Sequence, residues 1–386
     1  IQAKSQLYRQ VGGRWEINRE IAHRQMSNNS IYYQSKPSRE QLHWHLQQMR
    51  YSGEPGWINE EAGARRRPNF NGCNPCGEIL LDSHGLCNLT TVNLMGFVRD
   101  GALDRPALLK AQRLSARAGY RMTCKELEMF SWNAVQQRDK LLGCSLTGWQ
   151  DMVNATGMSR EDQAALLREL RETARRAADE IAGQLGGRRP LLVTTVKPEG
   201  TLSLLPTVSS GVHYSHAPYY IRRVRISAAD PLCKVCEDLG YPVLPEVGQD
   251  PDDPTTKVVE FPVQAPAGRV KADVTAIEQL ETYKMFMENY VDHNCSVTIH
   301  VRNDEWDQVE QWVWDHWDEV VALSFLSYDD SFYELMPYEA IDKAEYDRRR
   351  AAMRPFNPSL LTRYEHEETE LDIGASDCAN GVCPVR

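Results

Sequence analysis

The sequence predicts an α/β protein built around a parallel sheet, and three observations predict it. Helix-start signals alternate with short apolar runs along most of the 386 residues, the order that βα units produce. The run 191–196, Leu-Leu-Val-Thr-Thr-Val, is apolar and β-branched without polar alternation, as a strand covered on both faces requires. Apolar residues at 41% and charged residues at 25% are globular proportions, and no apolar stretch approaches the roughly 20 residues of a membrane span.

The elements follow in order. Ser38 with Gln41 three positions on forms a capping box for a helix whose face carries Leu42, Leu46 and Met49, and Ser52-Gly53-Glu54-Pro55-Gly56 stops it. Ser159 and Asp162 open a longer helix with Leu166, Leu170, Ala174, Ala177, Ile181 and Leu185 at helical spacing, closed by Gly186-Gly187. Thr275 with Glu278 caps a helix over 275–290, after which 296–299 reads as a strand, 304–319 as a helix and 320–326 as a strand. That succession suits right-handed crossovers in a parallel sheet. From Asp342 onward Glu, Asp, Arg and Asn dominate, Pro355 and Pro358 interrupt the pattern, and a mobile tail over 342–386 is expected.

Charge and cysteine usage narrow the function. Lys plus Arg number 44 against 54 Asp plus Glu, a net −10 that repels polyphosphate backbones, so neither nucleic-acid nor membrane binding is expected. Ten cysteines are too few for a disulfide scaffold, yet Cys73, Cys76 and Cys87 cluster, and Cys378 and Cys383 sit beside the C-terminus. This distribution points to thiol chemistry in the reducing cytoplasm.

The densest chemistry lies in Asn71-Gly72-Cys73-Asn74-Pro75-Cys76-Gly77-Glu78-Ile79-Leu80-Leu81, followed by Cys87-Asn88-Leu89. Gly and Pro break every regular pattern until Ile79, so the segment reads as a loop entering a buried stretch. Three readings compete: a turn with buried cysteines, a zinc site using Cys73-x-x-Cys76 with Cys87 or with Cys233-x-x-Cys236, and a thiol active site in which Glu78 handles a proton. Zinc is weakened by the second pair, which follows Asp230-Pro231 in a helix where Cys233 and Cys236 share a face with Leu232 and Leu239.

Asn74-Pro75-Cys76-Gly77-Glu78-Ile79 with Cys87-Asn88-Leu89 closely resembles the active-site finger loop of adenosylcobalamin-dependent (class II) ribonucleotide reductases, nearest the ribonucleoside-triphosphate branch. Met26-Ser27-Asn28-Asn29-Ser30, Lys197-Pro198-Glu199-Gly200-Thr201-Leu202-Ser203, Ala217-Pro218-Tyr219-Tyr220-Ile221-Arg222-Arg223-Val224-Arg225-Ile226-Ser227, Pro337-Tyr338-Glu339 and Cys378-x-x-x-x-Cys383 agree with it. The resemblance implies the C-terminal portion of such an enzyme: over 1–341 an incomplete ten-stranded α/β barrel, with a finger loop at about 71–92 and a phosphate loop at about 197–203, then a tail with a redox dithiol. It implies that Cys76 becomes the thiyl radical that removes the ribose 3′ hydrogen, that Glu78 takes the 3′-hydroxyl proton, and that Asn74 hydrogen-bonds the ribose hydroxyls. Cys87 matches one of two cysteines that reduce C2′; Cys378 and Cys383 would re-reduce the resulting disulfide by exchange.

Glu199, Gly200, Thr201 and Ser203 match the substrate-phosphate loop. The implied cofactor is adenosylcobalamin, and the implied partners are a ribonucleoside triphosphate, thioredoxin or a similar dithiol reductant, and a complementing N-terminal reductase half. That half would bring the allosteric site and the cysteine that pairs with Cys87. No metal ligand set is expected. The alternative is a non-catalytic or zinc-binding relative that keeps the motif. Arg222, Arg223 and Arg225 read equally as a solvated edge or as a contact near the nucleotide or cofactor, His43 and His45 read as surface and packing, and the Trp306 to Trp317 cluster reads as a core or crossover helix.

Overall fold

Parallel pairing dominates one of the two units into which the chain divides, in a computed structural model that describes residues 8–11, 14–27, 29–247, 249–328 and 335–365. In the unit made of Asn28–Ser215 and Pro266–Asp329, Ser30–Tyr33 pairs with Gly56–Asn59, Asn88–Asn93 with Leu142–Thr147, and Thr298–Val301 with Ser324–Ser327, each in parallel. Segment 192–196 links the last two pairs through parallel bridges from Thr194 to Cys144 and from Val196 to Cys295. The Asn59 amide donates to the Val321 carbonyl at 2.8 Å and brings the first pair beside the third. The strands form an open run, and no closed barrel is found among the described residues.

The expected strand at 191–196 is extended and buried from 192 to 196, but it pairs only through those two isolated bridges. One side chain interrupts the ladder, Val193 N–H going to Asp292 Oδ2 at 2.9 Å, while Thr195 N–H reaches the Cys144 carbonyl at 3.1 Å and Val196 N–H the Asn294 carbonyl at 3.4 Å. The later strands begin at Thr298 and Ser324 rather than at 296 and 320. Before those points the backbone serves other partners, since the Asn59 amide group donates to the carbonyls of Trp317 and Val320. The helix expected at 304–319 is correspondingly shorter, Trp306–Asp315.

The capping boxes form as the sequence specifies. Arg39–Ser52 starts on the reciprocal Ser38 and Gln41 pair and stops at Gly53 in the left-handed region (φ 73°), and Ala276–Asn289 starts on Thr275 and Glu278. Arg160–Gln184 lays Ala174, Ala177, Ala178, Ile181 and Ala182 against Ala116 and Tyr120 of Arg105–Thr123, over Cys144 and Val193. The alanine face lets the two helices close on Leu142, Cys144 and Val193 beneath them. Trp57, Trp306, Trp317 and Phe325 fill the larger core, so the tryptophan cluster is packing, as is the fully buried His45.

In the unit made of Ile1–Ser27, His216–Ala265 and Asp330–Arg386, the strands run Val243–Pro245, Thr256–Gln264, Tyr219–Ser227, Tyr338–Ala340 in one antiparallel sheet. Residues 343–352, expected within an irregular tail from 342, form the helix Lys343–Ala352, capped by Asp342. It buries none of its own residues; Arg349 docks it on Glu260 at 2.5 Å, and Arg354 N–H reaches the Leu239 carbonyl at 2.8 Å. Two of the three arginines are neutralised inside this unit, Arg223 by Glu260 and Glu339 and Arg225 by Glu246, and Arg222 lies over the Tyr338 ring. Cys233 and Cys236 are fully buried in the helix Pro231–Asp238. No helix among the described residues is long and apolar enough to cross a membrane.

Candidate active site

Residues 71–81 fold as a hairpin, with Gly72–Cys73 antiparallel to Leu80–Leu81. Asn74 closes it twice: its carbonyl accepts Gly77 N–H at 2.8 Å, and its Oδ1 accepts Ile79 N–H at 2.9 Å. Gly77 sits at φ 76°, where glycine is favoured. The Asn-Pro-Cys-Gly wording therefore encodes the turn itself. Besides accepting the Ile79 N–H through Oδ1, the Asn74 side chain hydrogen-bonds the Glu78 carboxyl.

The turn is held from outside by residues 195 and 293–296. Ser296 Oγ donates to the Cys76 carbonyl at 2.7 Å, Asn294 Nδ2 to the Gly77 carbonyl at 2.9 Å, and both Asn294 N–H (3.1 Å) and Thr195 Oγ1 (2.8 Å) to the Glu78 carbonyl. His293 Nδ1 accepts Leu80 N–H at 3.2 Å while Nε2 donates to the Leu142 carbonyl at 2.9 Å. This requires the neutral Nε2–H tautomer, and burial agrees by holding the imidazole down at about 4. Three successive carbonyls at 76–78 are thus pinned, and the side chains between them are set by a rigid backbone.

Those side chains differ sharply in environment. Cys76 is exposed at the turn. Glu78 is 2% exposed and its Oε2 has no hydrogen-bond partner. Burial pushes the Glu78 carboxyl up, Asn74 and the Lys197 charge pull part of that back, and Glu199 adds to the rise. A carboxyl moved toward neutrality in this way can exchange a proton. Burial and then the Glu78 charge raise Cys73 (to about 12) and Cys76, with Lys197 opposing at Cys76. Burial also raises Cys87, with smaller contributions from Cys144 and Glu78. One carboxylate therefore acts on all three thiols of the cluster.

Cys87 precedes the strand Asn88–Asn93 and is half-buried. Its sulfur occupies space that Gly143 of the next strand leaves open: a Cβ there would lie 3.2 Å from Sγ. Cys144 is not a disulfide partner for it. The register sets Cys144 opposite Thr90, three positions past Cys87, about 10 Å along the strand and beyond the roughly 7 Å limit for a bridge.

The loop after residue 196 divides its expected residues. Glu199 and Ser203 are buried, whereas Gly200 and Thr201 are exposed. Glu199 adopts φ 58°, an unusual conformation for a non-glycine residue, and its Oε1 accepts Thr91 Oγ1–H at 2.7 Å. Lys197 Nζ lies 3.6 Å from Glu199 Oε2, and Ser203 N–H donates to the Glu199 carbonyl at 3.1 Å. The structure thus brings Cys76, Glu78, Asn74 and Glu199 into one electrostatic neighbourhood with Lys197. Cys378 and Cys383 lie outside the described residues. Lys197, His293, Asn294 and Ser296 carry no assigned role in the sequence; for the last three the signal is the largely polar run Asp292-His293-Asn294-Cys295-Ser296 directly before a β-branched stretch. Among the described residues no group of three or more His, Cys, Asp or Glu side chains is placed to hold a metal ion.

The adenosylcobalamin-dependent ribonucleoside-triphosphate reductase of Levilactobacillus brevis is 27% identical to this chain over 94% of its length, and that of Lactobacillus acidophilus 26% over 94%. The chain is a homologue of these reductases. It covers 53% of each, so it spans about half the length of the curated relatives it matches. A solved B12-dependent (class II) ribonucleotide reductase shares the fold of this reductase homologue, with a TM-score of 0.75 at 24% identity over 92% of this chain and 54% of that one. No protein-family profile matches the chain.

Proposed function

We propose that this chain carries the catalytic hairpin of a ribonucleotide reductase that converts ribonucleoside triphosphates to 2′-deoxyribonucleotides. The observation that carries the reading is the pairing of an exposed thiol, Cys76, with a buried carboxyl, Glu78, whose Oε2 lacks a partner, on a turn pinned at three carbonyls. The homology to reductases of that specificity supports the same chemistry.

In the overall reaction the C2′–OH bond is replaced by C2′–H, water leaves, and two thiols become one disulfide. Cys76 as a thiyl radical takes the 3′ hydrogen and returns it at the end. Glu78 accepts the 3′-hydroxyl proton on Oε2, the oxygen that no protein group occupies. Asn74, hydrogen-bonded to the Glu78 carboxyl, also hydrogen-bonds the ribose hydroxyls. Cys87 supplies one of the two reducing thiols, and a second would come from the portion of the reductases that this chain does not cover. Gly200 and Thr201, exposed on the loop anchored by Glu199 and Ser203, face outward to receive the substrate phosphates. Exposure of Cys76 at the turn suits access by a bulky organometallic group; adenosylcobalamin, when bound, supplies the homolytic chemistry that makes a radical. Cys378 and Cys383 would carry electrons from thioredoxin or a similar dithiol to the spent disulfide.

The test is reconstitution of the chain with a complementing N-terminal reductase half, adenosylcobalamin and a dithiol. Cys76→Ala is expected to abolish both turnover and 3′-hydrogen exchange, whereas Cys378→Ala spares turnover driven by a small dithiol. Turnover that survives Cys76→Ala, or equal loss in both variants, overturns the assignment.

A further inference from the structure

The edge of the strand Thr298–Val301 that faces away from Ser324–Ser327 is served by side chains rather than by another strand. His213 Nε2 accepts Thr298 N–H at 3.0 Å, and Gln279 takes both polar groups of His300, accepting its N–H at 3.0 Å and donating to its carbonyl at 3.1 Å. Together with Tyr214, Lys271 and Thr282 these residues line a cavity of about 20 Å³, more than the roughly 10–15 Å³ that one water needs. Arg302 directly follows this strand, and Tyr328 directly follows its parallel partner. Both therefore stand at carboxyl ends of strands, where open α/β sheets receive ligands.

The charges gathered there do not balance. Lys271 Nζ lies 4.7 Å and Arg302 Cζ 4.8 Å from the centroid of the same Tyr328 ring. Arg302 is fixed by the carbonyls of Val274 and Ala272, at 2.9 and 2.7 Å, and meets Glu305 at 3.5 Å. Arg160 reaches the Thr282 hydroxyl at 3.5 Å and has no carboxylate partner among the described residues. Among the same residues the Lys271 ammonium has neither a hydrogen bond nor an ion pair, and the Tyr214 hydroxyl has no hydrogen bond. A ring face compensates a cation only in part, and here two cations share one ring. Burial and then the Arg302 charge push the Lys271 amine down to about 8, the direction expected of an ammonium that lacks an anion.

We propose that Lys271, Arg302 and Tyr214 form a binding site for one small oxyanion of the phosphate type, at the carboxyl ends of the strands Thr298–Val301 and Ser324–Ser327. The ammonium and the guanidinium supply charge-assisted hydrogen bonds, which are stronger than neutral ones, and the Tyr214 hydroxyl adds a third donor. One anion between the two cations removes the repulsion that they otherwise exert across the Tyr328 ring. Free phosphate and the terminal phosphate of a nucleotide present this same chemistry. None of these residues carries a role in the reductase reading, and the inference does not rest on it.

The test is protection at residue resolution in the full chain. Acetylation by limiting acetic anhydride is read by mass spectrometry at Lys271, with the exposed Lys110 and Lys234 as internal references. Inorganic phosphate is expected to slow Lys271 severalfold relative to the references, and saturably. Chloride at matched ionic strength, which screens without occupying the site, leaves the ratio unchanged. Arg302→Gln and Tyr214→Phe are each expected to weaken the protection. A second arm uses a ribonucleoside triphosphate: protection by both compounds supports a site open to a nucleotide's terminal phosphate, and protection by phosphate alone supports a site for the free ion. Protection by the triphosphate without protection by phosphate overturns the proposal, because the site is assigned to a single oxyanion. An unchanged Lys271 ratio in phosphate means that groups of the chain already serve the two cations, and it overturns the proposal, as does equal slowing by chloride. Should Arg302→Gln fail to fold, seen as loss of its cooperative melt, Tyr214→Phe decides alone: weaker protection supports the site and undiminished protection overturns it.

Discussion

Asn294 grips the hairpin turn by both its backbone and its side chain: its amide N–H holds the Glu78 carbonyl at 3.1 Å and its Nδ2 the Gly77 carbonyl at 2.9 Å. The same Nδ2 reaches the Ala322 carbonyl at 3.2 Å, and Oδ1 accepts the hydroxyl of fully buried Tyr283 at 2.9 Å. Every polar atom of the side chain is used in the interior. Asn294→Ala strips partners from the Gly77 carbonyl and the Tyr283 hydroxyl, and a buried group left unsatisfied costs about 1–3 kcal/mol. The expected result is a loss of about 2–4 kcal/mol in urea unfolding, with faster alkylation of Cys73 as the turn loosens. A loss under half a kcal/mol would mean that the turn holds itself.

These contacts explain which parts of the molecule the sequence reveals. Capping boxes at Ser38 and Thr275 and the hairpin turn at Asn74 are local, settled within a few residues, so their wording is readable. The grip of Asn294 on Gly77 joins positions 217 apart, and that of Thr91 on Glu199 positions 108 apart; no period or spacing along the chain encodes either. The helix Lys343–Ala352 escapes for a different reason. It buries none of its residues and is held by ion pairs, so an apolar-period reading has nothing to detect.

The buried His293 makes stability depend on pH in a predictable sense. Its folded-state value, lowered to about 4, lies below the unfolded value of about 6.5. Between those values the unfolded chain binds a proton that the folded chain refuses, so stability falls as pH drops through this window, at up to about 1.4 kcal/mol per pH unit. Glu78 works in the opposite sense, because its folded value is raised and its contribution falls as pH rises. The His293 component is therefore isolated as a difference. Urea unfolding of wild type and His293→Gln across the window should show a steeper fall toward acid in wild type, and parallel curves contradict the assignment of a neutral imidazole.

Gly143 is where strand packing and thiol chemistry meet. A Cβ at this position would lie 2.3 Å from Leu89 Cδ2, 3.1 Å from Thr195 Cγ2 and 3.2 Å from Cys87 Sγ. Gly143→Ala must displace buried or half-buried neighbours, and overpacking of this kind costs about 1–3 kcal/mol. The Cys87 sulfur is expected to shift, read as a changed alkylation rate at Cys87 with Cys124 unaffected. An unaltered Cys87 rate and unaltered melting would show that the strand relaxes instead.

Arg223 separates the two readings of the basic strand. It is 7% exposed and paired with Glu260 and Glu339. Truncating it leaves Glu260 buried with Arg349 as its remaining partner. Removing one member of a buried ion pair typically costs about 3–5 kcal/mol. Arg223→Met is expected to lower the melting temperature and to open the segments around Tyr219–Ser227 and Thr256–Gln264 to limited proteolysis. Cys76 alkylation is expected to stay at the parent rate. A stable variant with weakened nucleotide binding would instead make this strand a ligand contact.

Glu78→Gln tests whether one carboxylate controls the thiol cluster. The Glu78 charge raises Cys73, Cys76 and Cys87 alike, second to burial at Cys73 and Cys76 and after Cys144 at Cys87. Replacing it by a neutral isostere removes that contribution while Asn74, Asn294 and Thr195 still hold the backbone. The thiolate of Cys76 then becomes easier to form, because Lys197 remains and its opponent is gone. Alkylation of Cys76 near neutral pH is expected to rise severalfold and its pH profile to move toward acid, and melting near neutral pH is expected to rise rather than fall, because a carboxyl raised by burial destabilises the fold once it is ionised. Cys73, more deeply desolvated, moves in the same direction by less. If the Cys76 profile stays where it was, Glu78 is protonated throughout the range measured, and its role is that of a proton donor rather than the acceptor assigned to it.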